Sequence, residues 1–191
     1  MSSEKEATEG EPIDFNTPSG SIIKVILTNR VLGRGSFGVV YYAYSAEWPI
    51  KNFAVKIIYK NKGKASPKML EEEKEILYSL NSDNIVKLLG EAVLPNGDLC
   101  LLMELCNGGD LKNFKKCRGG TLSDKEAHFF VTQIIWGIVD HSKRGIMHRD
   151  LKLSNIGLNF TELNLLERFE SKEYLGNFIK SFKLKDNYQS V

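Results

Sequence analysis

The stretch GIMHRDLKLSNIGLNF, Gly145 to Phe160, sets His148-Arg149-Asp150 just ahead of Lys152 and Asn155. A His-Arg-Asp triplet by itself says little. Followed by Leu-Lys and then Asn155, it gathers three kinds of chemistry into one short segment. The Asp150 carboxylate can orient a hydroxyl group and accept its proton. Lys152 can neutralise charge on a phosphoryl group in transfer, and the amide oxygen of Asn155 can ligate a hard cation.

The residues just upstream supply a support for that loop. Ser123 and Glu126 form a capping-box pattern, the signature of a helix start. Beyond it, Ala127, Phe130, Val131, Ile134, Ile135, Ile138 and Val139 recur at helical spacing. Asp150 therefore follows a long helix and the connection RGIM. The helix is apolar over a wide arc, which calls for burial among other helices. With few helices available downstream, the expectation is an exposed apolar patch and low stability in isolation.

Further upstream the pattern changes to short β-branched and aromatic runs. SIIKVILTNRVLG, GVVYYAYS and NFAVKIIYK read as strands, and NIVKLLGEAVL with DLCLLMEL flank the turn PNGD as a hairpin. Between the first two runs, GRGSFGVV places Gly33, Gly35 and Gly38 where backbone could approach phosphates closely, although tight hairpins favour glycine too. A strand rather than a helix follows, which argues against a dinucleotide fold. In NFAVKIIYK, alternation puts Ala54, Lys56 and Ile58 on one face and Phe53, Val55 and Ile57 on the other. A lysine among apolar strand residues needs an anion nearby or an edge position open to solvent. Ser66-Pro67 starts a second helix, PKMLEEEKEILYSL, in which Glu73 interrupts the stripe of Met69, Leu70, Ile76, Leu77 and Leu80. An inward carboxylate and a lysine on an apolar strand explain each other as an ion pair.

These pieces, in this order, resemble the eukaryotic protein kinases of the serine/threonine type. The resemblance covers residues 25–158 and within the family is nearest to the Unc-51-like or calcium-dependent kinases. It implies an α+β protein kinase-like fold, with a complete β-rich N-terminal lobe and a partial helical C-terminal lobe. It also implies ATP and Mg2+ as ligands. Gly33, Gly35 and Gly38 would form the lid over ATP, Val40 and Ala54 would line the adenine pocket, and Lys56 would hold phosphates while pairing with Glu73. LLMELCNGGDL resembles the hinge, with Met103 at the gatekeeper position. Glu104 and Cys106 would offer backbone hydrogen bonds to adenine, and Asp110 would reach the ribose. Asp150 matches the catalytic base, Lys152 the phosphate-contacting lysine and Asn155 the metal ligand.

The departure from the family lies after Asn155, where a second metal-holding aspartate in Asp-Phe-Gly is absent. Asp186 in SFKLKD is the one stand-in, followed by Asn187-Tyr188. The expectation is that the chain stops within an insertion and that these 191 residues turn over weakly or not at all. The expected divisions are a disordered acidic tail over 1–20, an N-lobe over 21–104, a partial C-lobe over 105–158 and a divergent segment over 159–191. The competing reading is a catalytically inactive, truncated kinase acting as a nucleotide- or partner-binding regulatory module.

Composition limits the partners. A formal net charge of +2 and no lysine-rich stripe argue against nucleic acid. Three cysteines without metal-like spacing suit reduced thiols in a cytoplasmic protein. No apolar run approaches the roughly 20 residues of a membrane span. The expected partners are ATP and a protein substrate or regulatory protein.

Overall fold

The computed structural model describes residues 10–35, 38–47, 50–60, 75, 78–80, 82–145, 147–148 and 150–160. Six antiparallel strands close into a barrel in the order β1-β2-β3-β4-β6-β5: β1 Pro12–Asn16, β2 Ile22–Gly35, β3 Gly38–Ser45, β4 Asn52–Ile58, β5 Leu88–Val93 and β6 Leu99–Glu104. Helices α1 (Leu111–Cys117) and α2 (Asp124–Ser142) follow, and then a single 3-10 turn, Leu153–Asn155.

Period-two alternation builds the barrel, because successive strand side chains point to opposite faces. Phe53, Val55 and Ile57 of β4 face inward with Phe15, Val25, Leu27, Ala43, Cys100 and Leu102. Ile58 faces the other way and packs with Leu88 and Leu101, against which Tyr78 and Met103 lie. The barrel is therefore covered on this outer side too. The three expected strands, β2 to β4, and the β5–β6 hairpin are where the sequence places them. The predicted helix over 67–80 lies outside the described residues except at Glu75 and at its end; Glu75, Tyr78 and Ser79 are helical and Leu80 is buried.

The tail expected over residues 1–20 requires a correction. Residues 12–16 form β1, which pairs with β2 from Pro12↔Ile26 to Asn16↔Ile22 and reaches β5 through Asn16↔Glu91. Phe15 is 0% exposed, so one aromatic side chain anchors a short strand that composition alone marks as unstructured.

The glycines between β2 and β3 are not equivalent. Gly33 faces open space, whereas a methyl group at Gly38 would run into the Ile57 carbonyl oxygen, with the Ile57 carbonyl carbon 2.9 Å away. Gly38 pairs with Ile58 in the β3–β4 ladder, so neither strand can retreat without losing register. Gly38→Ala is expected to cost about 1–3 kcal/mol through overpacking. That corresponds to a fall of roughly 3–10 °C in the unfolding midpoint. Gly33→Ala should stay near wild type in the same thermal melt; equal melting of the two variants would contradict the packing argument.

Beyond the barrel, Leu111 and Phe114 of α1, Phe130 of α2 and Leu158 form a second core. Phe114 and Phe130 meet edge to face with centroids 5.5 Å apart. The capping box of α2 is present, with Ser123 Oγ accepting from Glu126 N and the Glu126 carboxylate accepting from Ser123 N. On the far side of α2, Val131, Ile135 and Ile138 are 52%, 52% and 42% exposed. Their i, i+4, i+7 spacing makes one apolar stripe, as the sequence leads one to expect.

Candidate functional site

The strand registers bring the expected nucleotide residues onto one face. Gly33 lies opposite Val40, Val40 opposite Lys56, and Lys56 opposite Leu101. Two residues along β4, Ala54 lies opposite Met103. Partners across a ladder share a face, as do residues two apart. Gly33, Val40, Ala54, Lys56 and Met103 therefore line the outside of the barrel while the large apolar residues of β4 fill its inside. Within Phe53–Ile58, Lys56 alone is not buried. Glu73, its expected partner, lies outside the described residues, as do Ser36 and Phe37 between the glycines.

The segment after β6 carries the hydrogen-bonding groups. Glu104 N donates to Lys87 O at 3.1 Å, and Glu104 Oε1 accepts from Lys87 N at 2.9 Å. The amide of Glu104 is thus occupied, which leaves its carbonyl as the backbone group for a further partner. Cys106 O accepts from Gly109 N, while Cys106 N–H donates to no group among the described residues. That amide is a free donor at the end of β6. The Cys106 thiol is pushed up to about 11, first by burial and then by the nearby Glu104 charge, so it is a packing group rather than a nucleophile.

Asp110 has a structural duty that its expected ribose contact would have to share. It caps α1, accepting from Asn113 N at 2.8 Å and from Asn113 Nδ2 at 2.7 Å. No periodicity in the sequence marks this helix, although an aspartate three residues before an asparagine in DLKN is a capping signal.

The loop Asp150–Asn155 closes on itself. Lys152 Nζ donates to Asp150 Oδ2 at 2.8 Å, and Asn155 Nδ2 donates to the same oxygen and to Asp150 O, both at 2.9 Å. The 3-10 turn brings Asn155 back over Asp150, with Asn155 N bonded to Lys152 O. Asp150 N donates to His148 O at 2.8 Å. His148 in turn stacks edge to face on His141 at 5.9 Å, which ties the loop to the last turn of α2. Lys152 first, then Asn155, hold the Asp150 carboxyl below the usual carboxylate range. Among the described residues nothing donates to Asp150 Oδ1, and Asn155 Oδ1 has no partner. The cluster thus keeps one open carboxylate oxygen and one open amide oxygen, with a lysine on its other carboxylate oxygen. Arg149 and Asp186 are outside the described residues.

Two contacts between distant residues hold the frame together, and no local pattern announces either. Ser82 Oγ donates to Asp140 Oδ2 in a short hydrogen bond, joining the approach to β5 with α2. Asn107 clasps the backbone of Phe160 on both sides of its Cα, with Phe160 N donating to Oδ1 at 2.7 Å and Nδ2 donating to Phe160 O at 2.9 Å.

Comparison with known proteins agrees with this geometry. The protein kinase domain family matches residues 26–169. Serine/threonine-protein kinase 33 of Bos taurus is 36% identical over 151 residues, covering 78% of this chain and 30% of that protein. The probable serine/threonine-protein kinase MARK-A of Dictyostelium discoideum is 34% identical over 180 residues, 91% of this chain and 16% of that protein. Serine/threonine-protein kinase unc-51 of Caenorhabditis elegans is 37% identical over 132 residues, 66% of this chain and 15% of that protein. The chain thus spans less than a third of the length of these relatives.

Proposed function

The chain belongs to the protein kinase family, and from that premise we propose that it binds MgATP and serves phosphoryl transfer to a serine or threonine hydroxyl of a protein. The observation that carries the reading is the Asp150–Lys152–Asn155 cluster with its two open oxygens. Asp150 Oδ1 would receive the hydroxyl of the substrate. Lys152, now on Oδ2, would share its charge with the phosphoryl group as negative charge builds on the equatorial oxygens. Asn155 Oδ1 would ligate Mg2+.

The donor set fits a metal ion that arrives with the nucleotide. Among the described residues no three His, Cys, Asp or Glu side chains gather into a ready-made cage. Mg2+ keeps several waters and phosphate oxygens and takes only one or two protein ligands. Bound there, it would neutralise charge on the phosphates. On the barrel face, Lys56 would meet the phosphates, Gly33 and Val40 would lie over the nucleotide, and Ala54 and Met103 would border the base. The Glu104 carbonyl and the Cys106 amide would take its hydrogen-bonding edge.

A cytoplasmic setting is part of the proposal, supported by three free cysteines. No helix among the described residues is long and apolar enough to cross a membrane.

The test is equilibrium binding of ATP with and without Mg2+, together with transfer of labelled γ-phosphate to serine- and threonine-containing peptides. Affinity within the roughly 1 µM–1 mM range of enzyme substrates is expected, tightened by the metal. Binding without transfer would favour the regulatory module, and absence of binding would remove both nucleotide readings.

A further inference from the structure

The protein kinase domain match begins at residue 26, inside β2, so β1 and the turn after it lie ahead of the matched domain. Yet β1 is seated in that domain as a ligand would be. Its five residues alternate, with Pro12, Asp14 and Asn16 exposed, Ile13 half-buried and Phe15 without exposed surface. On one side it takes the edge of β2 over Ile22–Ile26, while Val25, Ile26 and Leu27 meet β3 across the other edge. On its far side it reaches β5 once, at Asn16↔Glu91.

β5 is shaped to receive it. A methyl group at Gly90 would lie 3.0 Å from Asn16 O and 3.3 Å from Phe15 Cβ. Gly90 is not among the glycines with positive φ, so its own backbone does not demand glycine. The strand lying across it does. Phe15 itself joins the inner core, with Val25, Leu27, Ala92, Cys100 and Leu102.

We infer that the gap between β2 and β5 is a docking site for an extended peptide of the pattern Ile-x-Phe, occupied here by the chain's own residues 12–16. This is recognition by strand addition, in which main-chain bonds to an open edge supply affinity and pockets for alternate side chains supply selectivity. A short strand near the chain end, held by one fully buried side chain, opens more readily than the barrel core. The turn that follows is closed by Thr17 N donating to Ser21 O at 2.9 Å and Gly20 N donating to Thr17 O at 3.0 Å. It keeps the tethered strand at high effective concentration, so a peptide from another protein gains the site only when that strand is weakened or released.

The experiment uses the full chain carrying Phe15→Ala, which empties the seat. A fluorescent peptide of residues 11–18, EPIDFNTP, should bind this variant at least about tenfold more tightly than wild type, where the tethered strand competes. The same peptide with alanine in place of its phenylalanine should bind at least about tenfold more weakly. Adding Gly90→Ala narrows the seat and should weaken the first peptide several-fold. A folded Phe15→Ala protein that binds the peptide no better than wild type does, or that binds the alanine peptide as well, would overturn the inference. Indifference to Gly90→Ala would also overturn it, by placing the peptide elsewhere. Where Phe15→Ala does not fold, hydrogen exchange of wild type decides. Exchange of the ladder amides between β1 and β2 at least about tenfold faster than those of β4 marks a strand that detaches on its own. Exchange in step with β4 would make β1 an inseparable part of the barrel and end the case for a docking site.

Discussion

Lys56→Met is expected to weaken MgATP binding at least tenfold while leaving the barrel folded. Lys56 occupies the outer face of β4, opposite Val40 and Leu101, where its neighbours along the strand are buried. Methionine keeps an unbranched apolar stem of similar length, so the packing of the strand survives. What disappears is the ammonium group. A hydrogen bond to a charged partner contributes about 1.5–3 kcal/mol. At about 1.4 kcal/mol per decade that is roughly 10–150-fold in affinity. Adenosine, which carries no phosphate, supplies the internal control. Its binding should be the same in wild type and variant if the lysine meets phosphates. Loss of adenosine and ATP binding together would mean that the pocket was damaged, and equal ATP binding by both proteins would remove Lys56 from the site.

The contrast between what the sequence announces and what it conceals follows from distance along the chain. Asp150, Lys152 and Asn155 lie within six residues, and the hydrogen bonds that join them are local, so the cluster is legible as a motif. The face shared by Ala54 and Lys56 is legible for a similar reason, since strand alternation is a two-residue rule. The Ser82–Asp140 contact spans 58 residues and the Asn107–Phe160 clasp spans 53, and nothing near either residue signals its partner. Short elements are concealed in another way. β1 offers only Ile13 and Phe15 as inward residues, amid Pro12, Asp14 and acidic neighbours, too few for a period to emerge. Helix α1 has seven residues and one apolar pair, Leu111 and Phe114, at i, i+3. Both elements owe their order to the cores they join, which is tertiary context overriding weak local preference. Gly157 is the extreme case. A glycine in a sequence suggests a turn, and only the structure shows that a methyl group there would lie 2.5 Å from Cys106 Sγ.

Asp150→Asn should lower phosphoryl transfer at least about 100-fold, the lower end of what a positioned acid–base group contributes, with ATP affinity retained. The side chain is 63% exposed, so the substitution buries nothing new and the loop can keep its shape. Asparagine retains an oxygen for Lys152 but no longer offers two acceptors, and so a substrate hydroxyl loses either its orientation or its proton acceptor. The pH dependence sharpens the assignment. Lys152, and after it Asn155, draw the Asp150 pKa below its ordinary 3.8, so the group is ionised throughout the neutral range. Because the pKa is lowered on folding, the bonds to Lys152 and Asn155 contribute fully above the unfolded-state pKa. They are lost only as pH falls through the lower folded value. No loss of activity between neutrality and the ordinary carboxylate range should therefore trace to Asp150, and the pH profile of the variant should run parallel to that of wild type there. So acidic a group is a weak base in the ground state. Its main work is to hold the hydroxyl in line and to take the proton once bond formation has made it acidic. A variant that transfers phosphate at the wild-type rate would place the chemistry elsewhere. A wild-type acid limb well above 3.8 that vanishes in Asp150→Asn would mean that bound nucleotide has pulled Lys152 off the carboxylate and raised its pKa. That is the exchange expected if the lysine moves from Oδ2 to the phosphoryl oxygens during turnover.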